Sequence, residues 1–138
     1  MVAQGPSGKA SCKIEFFEGN AAHLPFADAY FDAAYHFGGL NFFSDKKRAI
    51  AEMTRVVRRG GKVGFGDEGL APRLRKTPYG DRLRGFRGHY LHAAPLDLLP
   101  DCAQDVAVRW LVGNAYHVID YRVGDGFPLI NLDLPISG

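Results

Sequence analysis

The sequence predicts an α/β fold, a partly parallel sheet closed by a C-terminal antiparallel hairpin. Three observations carry this. Apolar runs of strand length stand at residues 31–37 and 62–66, the stretch between them has helical periodicity, and two more strand-like runs, 106–112 and 116–123, are linked through Gly113-Asn114. A strand, a single helix and a second strand in that order imply a parallel crossover, whereas a short glycine-containing link implies a hairpin.

The elements follow in order. Residues 1–12 read as a loose N-terminal arm, because Gly5-Pro6 interrupts any helix begun at Met1. Residues 13–17 are aromatic and β-branched and stop at Gly19-Asn20, which predicts a strand ending in a turn. A turn at Pro25-Phe26-Ala27-Asp28 leads into the run at 31–37, which ends at Gly38-Gly39 and suits a buried strand. Ser44 is the expected N-cap of the next helix. Ala49, Ile50, Met53, Val56 and Val57 fall on its one apolar face, and Gly60 is expected to close it, with Arg58 and Arg59 near the negative end of the dipole. Beyond Gly69 the stretch 73–89 is basic and broken by Pro78, Gly80, Gly85 and Gly88, which predicts a loop with one short helix at 81–86. A further helical turn is expected at 95–100.

Composition narrows the function classes. Of 138 residues, 46% are hydrophobic and 23% charged, the balance of a single globular domain spanning 1–138. A formal net charge of +2 lacks the basic excess of a phosphate-tracking surface, so no nucleic-acid partner is expected. Cys12 and Cys102 are far apart and belong to no CxxC or Cys/His cluster, which argues against a disulfide framework and a zinc site and suits a reducing, cytoplasmic setting. No apolar run approaches the roughly 18 residues that span a bilayer, so no membrane partner is expected.

Three segments carry more specific information. They are Glu18-Gly19-Asn20-Ala21-Ala22-His23-Leu24-Pro25-Phe26, then Phe31-Asp32-Ala33-Ala34, then Glu52-Met53-Thr54-Arg55-Val56-Val57-Arg58-Arg59-Gly60-Gly61-Lys62-Val63. Together, in this order and spacing, they resemble the class I S-adenosylmethionine-dependent methyltransferase family of small-molecule enzymes that includes those of menaquinone and ubiquinone biosynthesis. The family's forms are a G-D-A-x-x-L-P-F turn, an F-D strand and an E-x-x-R-V-L-K-P-G-G helix end. The resemblance runs from about residue 14 to residue 67 and implies part of a Rossmann-like methyltransferase sheet.

The resemblance also implies roles. The turn at Asn20, Ala21, Ala22 and Leu24 lies against the adenine ring of the cofactor, S-adenosylmethionine. Asn20 stands where the family has an aspartate, so its amide oxygen accepts the exocyclic amine with less charge assistance. Read locally, the same residues are an ordinary Asx turn before a buried Leu-Pro-Phe. Tyr35, His36, Phe37 and Gly38 fall beside the methionine part of the cofactor, at the carboxyl end of a strand in a doubly wound sheet. Leu40, Asn41 and Phe42 face a small-molecule methyl acceptor. His36, with an ordinary pKa near neutrality, and Asp67, with Glu68 beside it, are the candidate catalytic bases, needed only for an acceptor that must lose a proton. The plainer reading makes His36 a strand-end histidine bonded to backbone and the two acids solvated groups at a strand end. Arg73, Arg75, Lys76, Arg82, Arg84 and Arg87, with Tyr79, Phe86 and Tyr90 among them, suit an anionic acceptor or an RNA, or simply a solvated loop.

The family's opening strand, its G-x-G-x-G turn and the acidic residue after its second strand are not in the 138 residues. The expectation is therefore a truncated member, similar to the family's C-terminal part and inactive as an isolated chain. Open strand edges should then drive homo-oligomerisation. The alternative is a non-catalytic binding or assembly module built on the same fold.

Overall fold

The computed structural model describes residues 12–86 and 92–125, apart from the side chains of Arg84 and Phe86. The arm expected at residues 1–12 lies almost wholly outside the described residues. So do Arg87 and Tyr90 of the basic stretch.

A four-stranded sheet forms the framework. Strand β1 (Phe31–Phe37) leads through a 3-10 turn at Leu40–Phe42 into helix α1 (Lys46–Arg55), which returns into strand β2 (Val57–Glu68). Helix α2 (Pro78–Phe86) follows, then a 3-10 turn at Leu96–Leu98 and the hairpin of β3 (Ala103–Leu111) and β4 (Tyr116–Val123). The order is β1-β2-β4-β3. β1 and β2 are parallel, as expected of a strand, helix, strand unit. β4 inserts antiparallel between β2 and β3, so the last strand lies inside the sheet. Among the described residues, no helix is long and apolar enough to cross a membrane, and no His, Cys, Asp and Glu group is arranged to hold a metal ion.

One face of the sheet carries the core. Val63 and Phe65 of β2 and Ile119 and Tyr121 of β4 are fully buried against Ile50, Met53 and Val56, all part of the apolar face predicted for the helix. Inside this layer the Tyr121 and Thr54 hydroxyls are 2.7 Å apart, and Thr54 Oγ1 also donates to the Ile50 carbonyl at 2.8 Å. A shared hydroxyl pair satisfies both polar groups where water cannot reach. Burial pushes the Tyr121 phenol up to about 12.

Several sequence expectations are corrected. Residues 13–17 form no strand; Phe16 and Phe17 are 64% and 62% exposed, with Phe17 set edge-on to Phe26 at 5.0 Å. A strand needs a neighbouring ladder, and among the described residues β1 pairs only with β2, so its far edge has no described partner. The helix cap is Asp45, whose carboxylate accepts the Arg48 N–H at 2.9 Å, one residue beyond the expected Ser44. Gly60 does not close the helix, which ends at Arg55 with Val56 as C-cap. It lies instead in a bulge of β2, at φ 73°, where the register with β1 jumps from Phe31↔Val57 to Ala33↔Lys62. Arg58 and Arg59 accordingly pair with Asp32 at 2.8 Å and Asp125 at 3.4 Å rather than with the helix end.

A buried ion pair joins helix to turn. Glu52, 6% exposed, accepts the Leu24 N–H at 2.8 Å and both Arg55 Nε and Nη2, at 2.8 and 2.9 Å. Arg55 also donates to the carbonyls of Leu24 and Phe26 and to Asp28 Oδ1. The pair closes around Leu24-Pro25-Phe26 and fixes it to α1. Its hydrogen bond to Arg55, against the opposing cost of burial, holds the Glu52 carboxyl at about 2.

Two outcomes follow from this packing. Because the folded carboxyl is depressed from 4.5 to about 2, its contribution is complete above pH 4.5 and drains away as pH falls through 2. Denaturant midpoints measured across that window should drop for the native chain, and Glu52→Gln should remove that part of the pH dependence while lowering the midpoint at neutral pH. The second concerns Gly61, where an added Cβ would meet the Asp32 carbonyl oxygen at 2.6 Å and that of Arg58 at 2.8 Å. Gly61→Ala should therefore cost about 1 to 3 kcal/mol, the usual scale of overpacking, read as a shift in the urea midpoint.

Candidate functional site

The carboxyl ends of β1 and β2 open toward the turn at residues 20–24, and three hollows share walls there. The first, about 290 Å³, is mainly apolar and is lined by Ala21, Leu24, Tyr35, His36 and Phe43 with the α1 side chains Ala49 and Met53. The second, about 440 Å³, lies between Asn20, Ala21 and Ala22 on one side and Phe42, Phe43 and Asp45 on the other. The third, about 280 Å³, is bounded by Gly38, Gly39, Asn41, Phe42, Asp67, Glu68 and Tyr116. Ala21, Phe43 and Ala49 border both the first and the second, and Phe42 both the second and the third.

Asn20 makes the local turn. Its Oδ1 accepts the Ala22 N–H at 2.9 Å, and its carbonyl accepts the His23 N–H at 2.8 Å. An amide oxygen has a second lone pair, so the Asx turn leaves room for one more donor. Ala21, Ala22 and Leu24 are half-buried behind it, held by the Glu52 and Arg55 pair.

β1 divides the next group between two faces. His36 turns toward α1, half-buried, with its ring 5.1 Å from Phe43. Its Nε2 is buried and has no hydrogen-bond partner among the described residues, so it is not the backbone-bonded strand-end histidine of the plainer reading. Tyr35 and Phe37 are 85% and 60% exposed, and Phe37 stacks on Tyr116 at 5.3 Å. Gly38, at φ 76°, donates its N–H to the Gly66 carbonyl at 2.9 Å, and Gly39 follows at φ 87°. Two successive left-handed residues swing the chain away from the sheet, a path that only glycine takes at little cost.

The residues expected to face the acceptor separate. Leu40 is 1% exposed and sits in the core, so its expected place is corrected. The 3-10 turn that carries it places Leu40 in the core cluster with Val63 and Phe65, while Phe42 of the same turn borders hollows. Asn41 and Phe42 do line hollows. The Asn41 N–H donates to Asp67 Oδ2 at 2.7 Å, and its Nδ2 to the Glu68 carbonyl at 2.9 Å. Asp67, 3% exposed, also accepts the Glu68 N–H through Oδ1 at 2.8 Å. With both oxygens engaged by backbone amides, Asp67 is a tether joining the end of β2 to the turn after β1 and is not poised as a base.

Sequence reasoning missed four participants. Glu52 and Arg55 were quoted only as part of a motif, although an i, i+3 Glu/Arg pair at a helix end is a signal for a fixed ion pair. Tyr116 was read only as a strand residue. Burial, and then the charges of Asp67 and Glu68, raise its phenol above the ordinary range. His117, the register partner of Asp67, is fully buried with neither ring nitrogen bonded among the described residues, and burial lowers its pKa despite the pull of Asp67. Two members of the basic stretch are engaged in structure. Arg73 donates to Asn114 Oδ1 at 3.0 Å, and Arg75 to the carbonyls of Leu70 and His92 at 3.2 and 3.5 Å.

Comparisons with known proteins bear on this arrangement. Residues 2–65 match the methyltransferase domain family. The chain is 48% identical over 50 residues to a demethylmenaquinone methyltransferase of Renibacterium salmoninarum, covering 36% of this chain and 21% of that protein. It is 52% identical over 44 residues to a ubiquinone/menaquinone biosynthesis C-methyltransferase of Ralstonia pickettii, covering 32% and 18%. The chain thus spans about a fifth of the length of these curated relatives. A solved structure from Thermotoga maritima, described as a SAM-dependent methyltransferase and possible histamine N-methyltransferase, superposes with a TM-score of 0.55 at 20% identity, over 77% of this chain and 62% of that one. That likeness speaks for the fold, the partly antiparallel α/β sheet with its final strand inserted. Residues 2–65 are thus similar to the methyltransferase domain family and to segments of menaquinone and ubiquinone biosynthetic methyltransferases, and the fold is that of the solved methyltransferases.

Proposed function

We propose that this chain contributes the adenine wall and the acceptor side of a methyl-transfer site, acting on a small-molecule acceptor with S-adenosylmethionine as donor. The observation that carries the reading is the run of hollows from the Asn20 turn, past His36, to Asp67, Glu68 and Tyr116 at the strand ends. The residues fit the cofactor's adenine end. Ala21 and Ala22 are small enough to admit a flat ring, Leu24 gives it apolar cover, and Asn20 Oδ1 keeps an acceptor lone pair. The buried, unbonded His36 Nε2 offers a polar contact in an otherwise apolar hollow. Tyr35, Phe37 and Gly38 stand beside it at the β1 end.

When bound, the cofactor supplies an activated methyl group on a sulfonium with a neutral leaving group, so positioning and exclusion of water carry most of the catalysis. The side chains here do that work. Phe42 and Phe43 line the second hollow, and the Asp67 tether holds their turn against β2. His36 is the group placed to take a proton from an acceptor that must lose one.

The 138 residues contain no G-x-G-x-G turn, so these contacts alone seat only part of the cofactor, and weak binding without turnover is the expected behaviour of the chain by itself. A second reading, an assembly module, rests on the far edge of β1, which has no described partner, and the exposed Tyr35 and Phe37 beside it, which suit strand pairing with a second copy.

Calorimetric titration of the chain with S-adenosylhomocysteine should give measurable binding and no methyl transfer. Asn20→Asp should tighten that binding by about 1 kcal/mol, or roughly five-fold, the scale of one charge-assisted hydrogen bond. Absence of binding, together with a dimer by sedimentation that Tyr35→Lys disperses, would favour the assembly reading instead.

A further inference from the structure

The hollow at the strand ends has a chemistry that the methyl-transfer reading does not by itself require. Its charged groups are the carboxylates of Asp67 and Glu68, and neither Lys nor Arg is among its lining residues. Its aromatic wall is Tyr116, backed by Phe37 in a stack at 5.3 Å, with Phe42 at the mouth. Glu68 and Tyr116 are register partners across β2 and β4, which sets the carboxylate and the ring side by side on one face of the sheet. The glycines keep that face open. An added Cβ at Gly38 would approach the Tyr116 hydroxyl at 3.7 Å, while one at Gly39 would meet nothing within 4 Å.

Anionic groups beside ring faces, with no cation to neutralise them, attract an organic cation through both charge and ring quadrupole. The rise in the Tyr116 pKa, caused first by burial and then by Asp67 and Glu68, shows that the hollow is partly desolvated and negative where the ring sits. Asp67 gives its two carboxylate oxygens to backbone amides, and Glu68 borders the hollow less than fully buried.

We propose that this hollow binds the ammonium head of a small organic amine, which makes an amine the acceptor class for the methyl transfer proposed above. The inference rests on that reading for its link to catalysis, but the cation site stands on its own lining. Glu68 faces the head group and also accepts the N–H proton that an ammonium must release before its nitrogen has a lone pair to share. Tyr116 and Phe42 cover the methylene groups next to the nitrogen.

The test uses the full chain and three probes of similar shape: phenethylamine, phenethyl alcohol and phenylacetate, titrated by calorimetry and by the proton chemical shifts of the Tyr116 ring. The amine should bind about ten-fold more tightly than the alcohol, a difference within reach of a partly desolvated cation beside a carboxylate and a ring, and the carboxylate probe should bind least. Glu68→Gln should erase the amine's advantage and leave the alcohol's affinity unchanged, a pattern that general disruption of the fold would not produce. Tyr116→Leu should weaken the amine several-fold. Equal affinity for amine and alcohol, or an amine preference that survives Glu68→Gln, overturns the inference. Amine binding with no S-adenosylhomocysteine binding would sink the methyl-transfer reading while supporting the cation site; cofactor binding without amine preference would do the reverse.

Discussion

The ion pair of Glu52 and Arg55 is the constraint on which the rest of the site depends. A carboxylate this well buried is costly to desolvate, and only a full set of donors makes it tolerable. Here the donors are a backbone amide of the turn before β1 and the guanidinium from the next turn of α1, and that guanidinium also caps the carbonyls of the same turn. A single helix end thereby fixes a loop roughly thirty residues upstream. The E-x-x-R spacing and the Leu-Pro-Phe turn look like separate motifs in the sequence, and in space they are the two halves of one joint. That joint fixes Leu24, which lines the apolar hollow, to α1.

What the sequence revealed follows from which interactions are local. Helix α1 and its buried face were readable because Ala49, Ile50, Met53 and Val56 repeat at helical spacing, and the β3–β4 hairpin because Gly113-Asn114 separates two strand-like runs. The parallel pairing of β1 and β2 followed from having one helix between them. Residues 13–17 were misread because aromatic and β-branched composition marks a segment fit for a sheet without providing a neighbour. Gly60 was misread because left-handed glycine closes helices and shapes bulges alike, and only the register against β1 separates the two. The Asp45 cap shows the ordinary one-residue uncertainty at helix ends.

The site was legible in outline and not in division of labour. Asn20, His36 and Asn41 do border hollows, yet Leu40 turned inward and Asp67 became a tether. Both outcomes depend on which way a side chain leaves a 3-10 turn or a strand end, and spacing alone does not encode that. Tyr116 could not have been found from its own surroundings in the sequence. It reaches Phe37 and Glu68 only because β4 enters the sheet beside β2. The likeness to solved methyltransferases speaks to the scaffold, and chemistry has to be argued from the side chains that line the hollows.

The insertion of β4 has a consequence for how the chain acquires its shape. During synthesis β1, α1 and β2 emerge together and can pair at once, but the other edge of β2 has no partner until the final strand appears. The ladder from Glu68↔Tyr116 to Lys62↔Arg122 closes across everything made in between, including α2 and the whole of β3. Contacts of such long separation are slow to form, and they leave the apolar side of Val63 and Phe65 only half covered while the ribosome is still at work. The nascent chain is therefore most in need of protection just before β4 is released.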